Sequence, residues 1–191
     1  GKGRGSGCYV TYKGAHLIVT AAHVFDDANT NWLWIVRGKK KVKGHPVYFD
    51  KGEDIALVAT KPLDMVKPTK LNVRTPYPPV GEELTYSGYP GRHDLLTIRG
   101  EVVGYQKIWD EREKVVVHTY GWPGASGSCF FDKRGRMVGV LVAIPIGRGY
   151  VPQLLESMVF ATPIKVLDLD KLDKNLCSLQ KDIRPHFCMR R

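Results

Sequence analysis

The chain of 191 residues has no apolar run long enough to span a bilayer, which takes about 18 uninterrupted residues. Its longest apolar segments, Val138–Ile146 and Leu17–Val24, are strand-sized, so a membrane partner is not expected. Cysteine is scarce. The four present, Cys8, Cys129, Cys177 and Cys188, form no CxxC pair and are too irregular for a zinc site or a disulfide framework. Free thiols are the expectation, with no metal and no cofactor, and free thiols favour cytoplasm or virion. Repeats and low-complexity tracts are also missing. The opening Gly1–Gly7 lacks a signal-peptide apolar core and reads as a processed end, an excised polyprotein piece or a cloning boundary.

Acidic residues are the minority. Lys and Arg number 29 against 19 Asp and Glu, a net charge of +10, with the excess gathered in Arg37–Lys43 and in the tail Lys181–Arg191. Such a surface attracts anions and leaves nucleic acid open as a partner. Lysines along an exposed hairpin also serve simply to block strand association.

What the chain does have is 43% hydrophobic residues, 20 Gly and 12 Pro, the balance of a globular fold with a core of its own. Through residue 163, short runs rich in Val, Ile, Thr and Tyr alternate with Gly, Pro, Asn and Asp at intervals of about ten residues, an all-β pattern. Turn chemistry at Lys13-Gly14, Asp50-Lys51-Gly52 and Asp132–Gly135 separates several strands. The Pro-rich stretch 75–80 divides the pattern into two halves of about six strands each, the arithmetic of two small barrels. The expected organisation is therefore residues 1–74, a connector 75–80, residues 81–163, and a tail 164–191. In the tail, leucines at mixed three and four spacing predict a helix.

Three segments carry chemistry together. Val19–Phe25 ends an apolar strand in small residues and then His23; Gly52–Val58 sets Asp54 at the mouth of a buried strand; Gly121–Ser128 places Ser126 between glycines on a turn that leads into Cys129–Phe131. Each alone is weak. A histidine after a strand is usually structural, and an aspartate before one is usually a turn residue. Acyl transfer needs a hydroxyl nucleophile, a base near neutrality, a carboxylate that holds the base's tautomer, and amide donors for the oxyanion. The chain supplies all four in the order His, Asp, Ser. Cys129 lies three positions beyond the turn on an apolar strand, where a buried structural thiol is expected. Asp26 and Asp27 follow His23 too closely to displace Asp54, and His16, His45, His93 and His186 have no accompanying motif.

In these segments the sequence resembles the chymotrypsin-fold serine proteases, closest to compact Deg/HtrA-type and viral members. Gly5–Val10 resembles the glycine-serine-glycine opening strand, Thr20–His23 the histidine segment, and Asp54–Leu57 the aspartate segment. Val80–Leu84 with Ser87–Gly91 resembles the entry to the second barrel, Pro123–Ser128 the nucleophile turn and Phe160–Pro163 the closing strand. The resemblance implies an all-β fold of two six-stranded antiparallel β-barrels with a C-terminal helix. It implies a serine endopeptidase with His23 as general base, Asp54 as its orienting carboxylate and Ser126 as nucleophile. The amides of Gly124 and Ser126 would form the oxyanion hole. Departures are Ala125, where Asp or Asn is commoner, and Ser128-Cys129, where Gly-Pro is usual.

Specificity in that fold is set by segments that here are His118–Trp122 and Val140–Ala143, with 144–157 as the adjoining loop. The two wall segments, His118–Trp122 and Val140–Ala143, contain no Asp or Glu, so a basic side chain would lack its buried counter-charge. His118, Tyr120, Val142 and Ala143 are the candidate substrate contacts; Tyr120, Val142 and Ala143 favour an apolar or modest-sized residue, while His118 and Arg148 of the loop leave an acidic or polar one open. The partner is then a polypeptide, a viral polyprotein among the candidates. The competing reading is a basic nucleic-acid- or protein-binding module on a protease-like scaffold.

Overall fold

The computed structural model describes residues 4–25, 31–64, 66–108, 112–143, 146–147, 153–154 and 157–190. Six strands, β1 (Cys8–Tyr12), β2 (Ala15–Thr20), β3 (Leu33–Arg37), β4 (Lys40–Asp50), β5 (Ile55–Thr60) and β6 (Thr69–Lys70), form one sheet in the order β3–β4–β5–β2–β1–β6. Lys13 and Gly14, with φ of 46° and 79°, make the tight turn joining β1 to β2, a backbone twist that matches the flanking strands. β5 reads Ile-Ala-Leu-Val-Ala-Thr and is buried at every position because it is covered on both faces.

The second half holds β7 (Glu83–Gly88), β8 (Leu96–Ile108), β9 (Arg112–His118), β10 (Cys129–Phe131), β11 (Met137–Ala143) and β14 (Met158–Pro163). These close into a barrel in the order β10–β11–β14–β9–β8–β7. A short hairpin, β12 (Ile146–Gly147) with β13 (Gln153–Leu154), stands apart. Tyr86, Phe130, Val117, Leu141 and Val159 fill the barrel, while Cys129, Met137, Val140 and Val142 pack with Val10, Leu17 and Leu57 of the first half.

The expectation of two barrels is corrected in one respect: the first sheet is not closed. β6 is two residues long and runs parallel to β1, and β3 ends the other side with Trp34, Val36 and Arg37 exposed. Leu172 and Leu176 of the helix α1 (Leu169–Cys177) join the core cluster of the open half, so a helix seals what a strand pairing leaves open.

The expected tail helix proves short. Asp168 caps α1 by accepting from the Lys171 amide at 3.1 Å. Tyr12 then donates to Asp173 at 2.7 Å, and Asn175 donates to the Val47 carbonyl at 2.8 Å. Beyond Ser178 the chain turns back on itself.

The free-thiol expectation is overturned as well. Cys8 pairs with Cys129 and Cys177 with Cys188, which removes the ground for favouring cytoplasm or virion. Spacing could not show the first pairing, because its cysteines are 121 residues apart and meet only where β1 packs on β10. No helix among the described residues is long and apolar enough to cross a membrane.

Candidate active site

His23 sits in a one-turn 3-10 segment (Ala22–Val24) where β2 leaves the sheet, and Asp54 opens β5, the strand paired with β2. Neighbouring strands thus deliver imidazole and carboxylate to one place. His23 Nδ1 lies 2.7 Å from Asp54 Oδ2, and the His23 backbone amide donates to Oδ1 at 2.8 Å. Ala22 donates to the Asp54 carbonyl at 3.2 Å. The carboxylate therefore holds the ring and the backbone beneath it. Asp54 is buried and adopts φ 58°, the left-handed region that aspartate tolerates better than most non-glycine residues.

The side chain of His23 is half exposed, and its pKa is raised above 6.5 chiefly by the hydrogen bond to Asp54; desolvation pulls the other way. A raised base is a stronger proton acceptor in its neutral form. It is charged, and unable to accept, until the pH climbs past that raised value.

Grip on Asp54 also comes from the closed barrel through its neighbour Glu53. Lys114, fully buried on β9, donates from Nζ to Glu53 Oε2 at 2.7 Å and to the Glu53 carbonyl at 3.2 Å. Arg112 adds a bond to Oε1 at 2.9 Å, and the Thr162 hydroxyl adds one to the same carbonyl at 2.6 Å. No local pattern signals this, since Lys114 stands in a run of alternating charge where a solvent-facing lysine is the ordinary expectation.

Ser126 lies on the turn between Gly124 (φ 104°) and Gly127 (φ 89°), two conformations that L side chains rarely adopt. Gly5 marks how near this turn comes to the histidine segment. A Cβ at Gly5 would meet Val24 side-chain atoms at 2.5 and 2.7 Å and the Ser126 carbonyl oxygen at 3.1 Å. The amides of Gly124 and Ser126 have no hydrogen-bond partner among the described residues, whereas those of Ala125, Gly127 and Ser128 all do. Two unpaired donors flanking a serine are what a developing oxyanion requires.

Of the substrate-contact candidates, His118 and Tyr120 line one open cleft of about 540 Å³ with Glu83, Arg99, Glu101, Thr119 and Ser157. Tyr86, its phenol pushed up to about 12 by burial, donates to the Tyr120 carbonyl at 2.6 Å and fixes that rim. Val142 is instead buried in the cluster that joins the two halves, and Ala143 closes β11. Glu83 and Glu101 are cross-strand partners, as are Glu101 and His118, so the cleft floor carries carboxylates that the segments near Ser126 do not contain. Sequence reasoning missed them because they come from β7 and β8. Asp26, Asp27 and most of the expected specificity loop 144–157 lie outside the described residues.

Comparisons with known proteins place the chain in a family. The model of the trypsin-like peptidase domain matches residues 5–140. Comparison with curated proteins returns no match. Among solved structures, an inactive form of Rv3671c from M. tuberculosis H37Rv, with its serine replaced by alanine, is similar at TM-score 0.67 and 19% identity. The match covers 92% of this chain and 83% of that one. The active form of the same protease gives 0.67 and 20%, over 83% and 68%. The HtrA-type protease AlgW with a decapeptide gives 0.66 and 17%, covering 90% of this chain, which spans half of AlgW. The chain belongs to the trypsin-like peptidase domain family and is a hydrolase of the serine endopeptidase class.

Proposed function

We propose that the protein cleaves polypeptides through an acyl-enzyme on Ser126, with His23 as general base and then acid, and Asp54 holding the imidazole. The observation that carries this reading is the paired grip of Asp54 on the Nδ1 and the backbone amide of His23, which leaves Nε2 as the nitrogen available to a hydroxyl. In the first step Nε2 takes the Ser126 proton as Oγ attacks the scissile carbonyl. The oxyanion is received by the amides of Gly124 and Ser126, and the proton passes to the leaving amine. Water then repeats the sequence to release the acid. His118 and Tyr120 border the cleft that receives a substrate side chain. Likeness to compact viral members extends the reading to polyprotein or virion cleavage.

Fluorophosphonate labelling followed by mass spectrometry tests the nucleophile, and the label is expected on Ser126. Ser126→Ala should lower peptide turnover by on the order of 10³-fold or more while the protein stays folded. Unchanged cleavage would sink the assignment.

A second reading rests on the β3–β4 hairpin. Trp32 and Trp34 are exposed, with ring centroids 5.4 Å apart, and Lys43 stands 4.9 Å from the Trp32 ring. Lys41 and Lys43 are the cross-strand partners of Val36 and Trp34. Aromatic faces among cations are a stacking platform for single-stranded nucleic acid. Salt-dependent oligonucleotide binding by the same Ser126→Ala protein, with no labelling of the unaltered one, would make binding the primary role.

A further inference from the structure

The oxyanion amides named above belong to peptide units whose carbonyls, Pro123 O behind the Gly124 amide and Ala125 O behind the Ser126 amide, point the opposite way, because a trans peptide sets N–H and C=O antiparallel. What holds those carbonyls therefore aims the donors. Five consecutive carbonyls on the nucleophile turn are all taken. Trp122 O accepts from Ala125 N at 3.0 Å, Pro123 O from Gly91 N at 2.9 Å, and Ala125 O from Ser128 N at 2.9 Å. The remaining two, Gly124 O and Ser126 O, go to a single residue outside the turn. The Ser6 hydroxyl donates to Gly124 O at 2.8 Å, and the Ser6 amide donates to Ser126 O at 2.8 Å.

Ser6 is itself held from two other sides. Its hydroxyl accepts from the Tyr89 amide at 3.1 Å, and its carbonyl accepts from the Thr20 hydroxyl at 2.7 Å. Through Tyr89 the same hydroxyl anchors the segment whose Gly91 amide holds Pro123 O. It is 6% exposed, so water does not compete freely for these bonds. A Cβ at Gly124 would meet the Tyr89 carbonyl at 2.5 Å, which shows how closely the two segments approach.

We propose that Ser6 is a positioning residue of the oxyanion hole: its hydroxyl and amide fix the Gly124–Ala125 and Ser126–Gly127 peptide units that flank those of the two oxyanion amides, and through Tyr89 its hydroxyl anchors the segment whose Gly91 amide holds the Pro123 carbonyl behind the Gly124 amide. It touches no reacting atom. With the hydroxyl removed, the Gly124–Ala125 peptide loses its outside anchor, and the turn can rotate a carbonyl toward the place where negative charge must develop. This inference rests on the proposed nucleophile, and the experiment separates the two.

The test compares unaltered protein, Ser6→Ala and Ser6→Thr in fluorophosphonate labelling, peptide-cleavage kinetics, thermal melting and affinity for a peptide aldehyde, whose hemiacetal oxygen occupies the oxyanion position. Ser6→Ala should lower kcat by about tenfold to a hundredfold, the scale of impairing oxyanion stabilisation, and weaken aldehyde binding in parallel. KM and the acidic limb of the pH profile should stay near those of the unaltered protein, the melting temperature should fall modestly because the Gly124 carbonyl and Tyr89 amide lose a buried partner, and Ser6→Thr should recover most of the loss. Thr20→Val, which frees the Ser6 carbonyl, should give a smaller loss of the same kind and carries the comparison should Ser6→Ala not fold. Ser126 labelled in the unaltered protein with kcat unchanged in Ser6→Ala overturns this inference alone. A loss in which kcat and KM change together with melting, without rescue by threonine, reduces Ser6 to a structural role and also overturns it. Absence of label on Ser126 in the unaltered protein overturns the proposed nucleophile and this inference with it.

Discussion

The two halves of the molecule meet the same demand, burying one face of a six-stranded sheet, by different means. The second closes on itself, so every strand has two neighbours. The first stops at two unpaired edges and relies on α1 and on the packing of β10 and β11 to cover its apolar face. In the proposed triad, acid and base come from the open half and the serine from the closed one, so their alignment depends on what joins the halves. The joints are the Cys8–Cys129 bond, the Ser6 contacts and the hold of Lys114 and Thr162 on Glu53. A site built across a seam is only as well aligned as the seam.

The sharpest break of this comparison is Asp54→Asn, which leaves the strands intact and removes the charge. Turnover should fall by on the order of 10³- to 10⁴-fold, because the imidazole is left in the wrong tautomer. The pH profile adds a second readout. His23 is raised above 6.5 mainly by Asp54, so activity in the unaltered protein is lost as pH falls through a value above 6.5. In Asp54→Asn the desolvation that lowers the value acts alone, and the acidic limb should move below 6.5. For stability the sign is reversed: the His23–Asp54 pair contributes fully below 6.5 and its contribution fades as pH rises through the folded value. A limb that stays put would remove Asp54 from its assigned role.

Next comes the difference between the two disulfides. Cys8–Cys129 closes a loop of 121 residues and Cys177–Cys188 one of 11, so in the chain-entropy account the first contributes about 4–5 kcal/mol and the second about 2–3. Denaturant unfolding of the two double alanine variants checks the order. Equal losses would show that the bond between the halves adds no more than the clasp on the tail. A smaller effect than the loss of Cys8–Cys129 is expected of Lys114→Met. Removing one partner from a buried charge pair costs about 3 kcal/mol, read as a lowered denaturation midpoint. Because Glu53 then loses its grip from β9, turnover should fall with it, and a stable, fully active variant would take Lys114 out of the joint between halves.

Much of this was legible in the residues. The turns read at Lys13-Gly14, Asp50-Lys51-Gly52 and Asp132–Gly135 fall at the junctions of β1 with β2, β4 with β5, and β10 with β11, because such residues favour reversal of the chain. His23 and Asp54 are found by motif and are then seen to share a hydrogen bond because β2 and β5 pair. Hidden were the relations that join distant segments. The tail's leucine spacing overran the helix, because a cap at Asp168 and a disulfide at Cys177 fix where it starts and ends. Lys114 looks like any surface lysine until Glu53 arrives from the other half. Closure of a sheet into a barrel is likewise a property of pairings with no local trace, which is why β3 and β6 could be located or missed without revealing that they never meet.

The covalent bridge between Cys8 and Cys129 has an outcome visible on a gel. A single cut in the Pro-rich connector 75–80 would yield two polypeptides that still migrate together, because the bridge ties the fragment bearing the imidazole and its acid to the fragment bearing the alcohol. Under a thiol reductant the pair would separate into bands of unequal size, and a nicked enzyme would then carry its reacting groups on two different molecules.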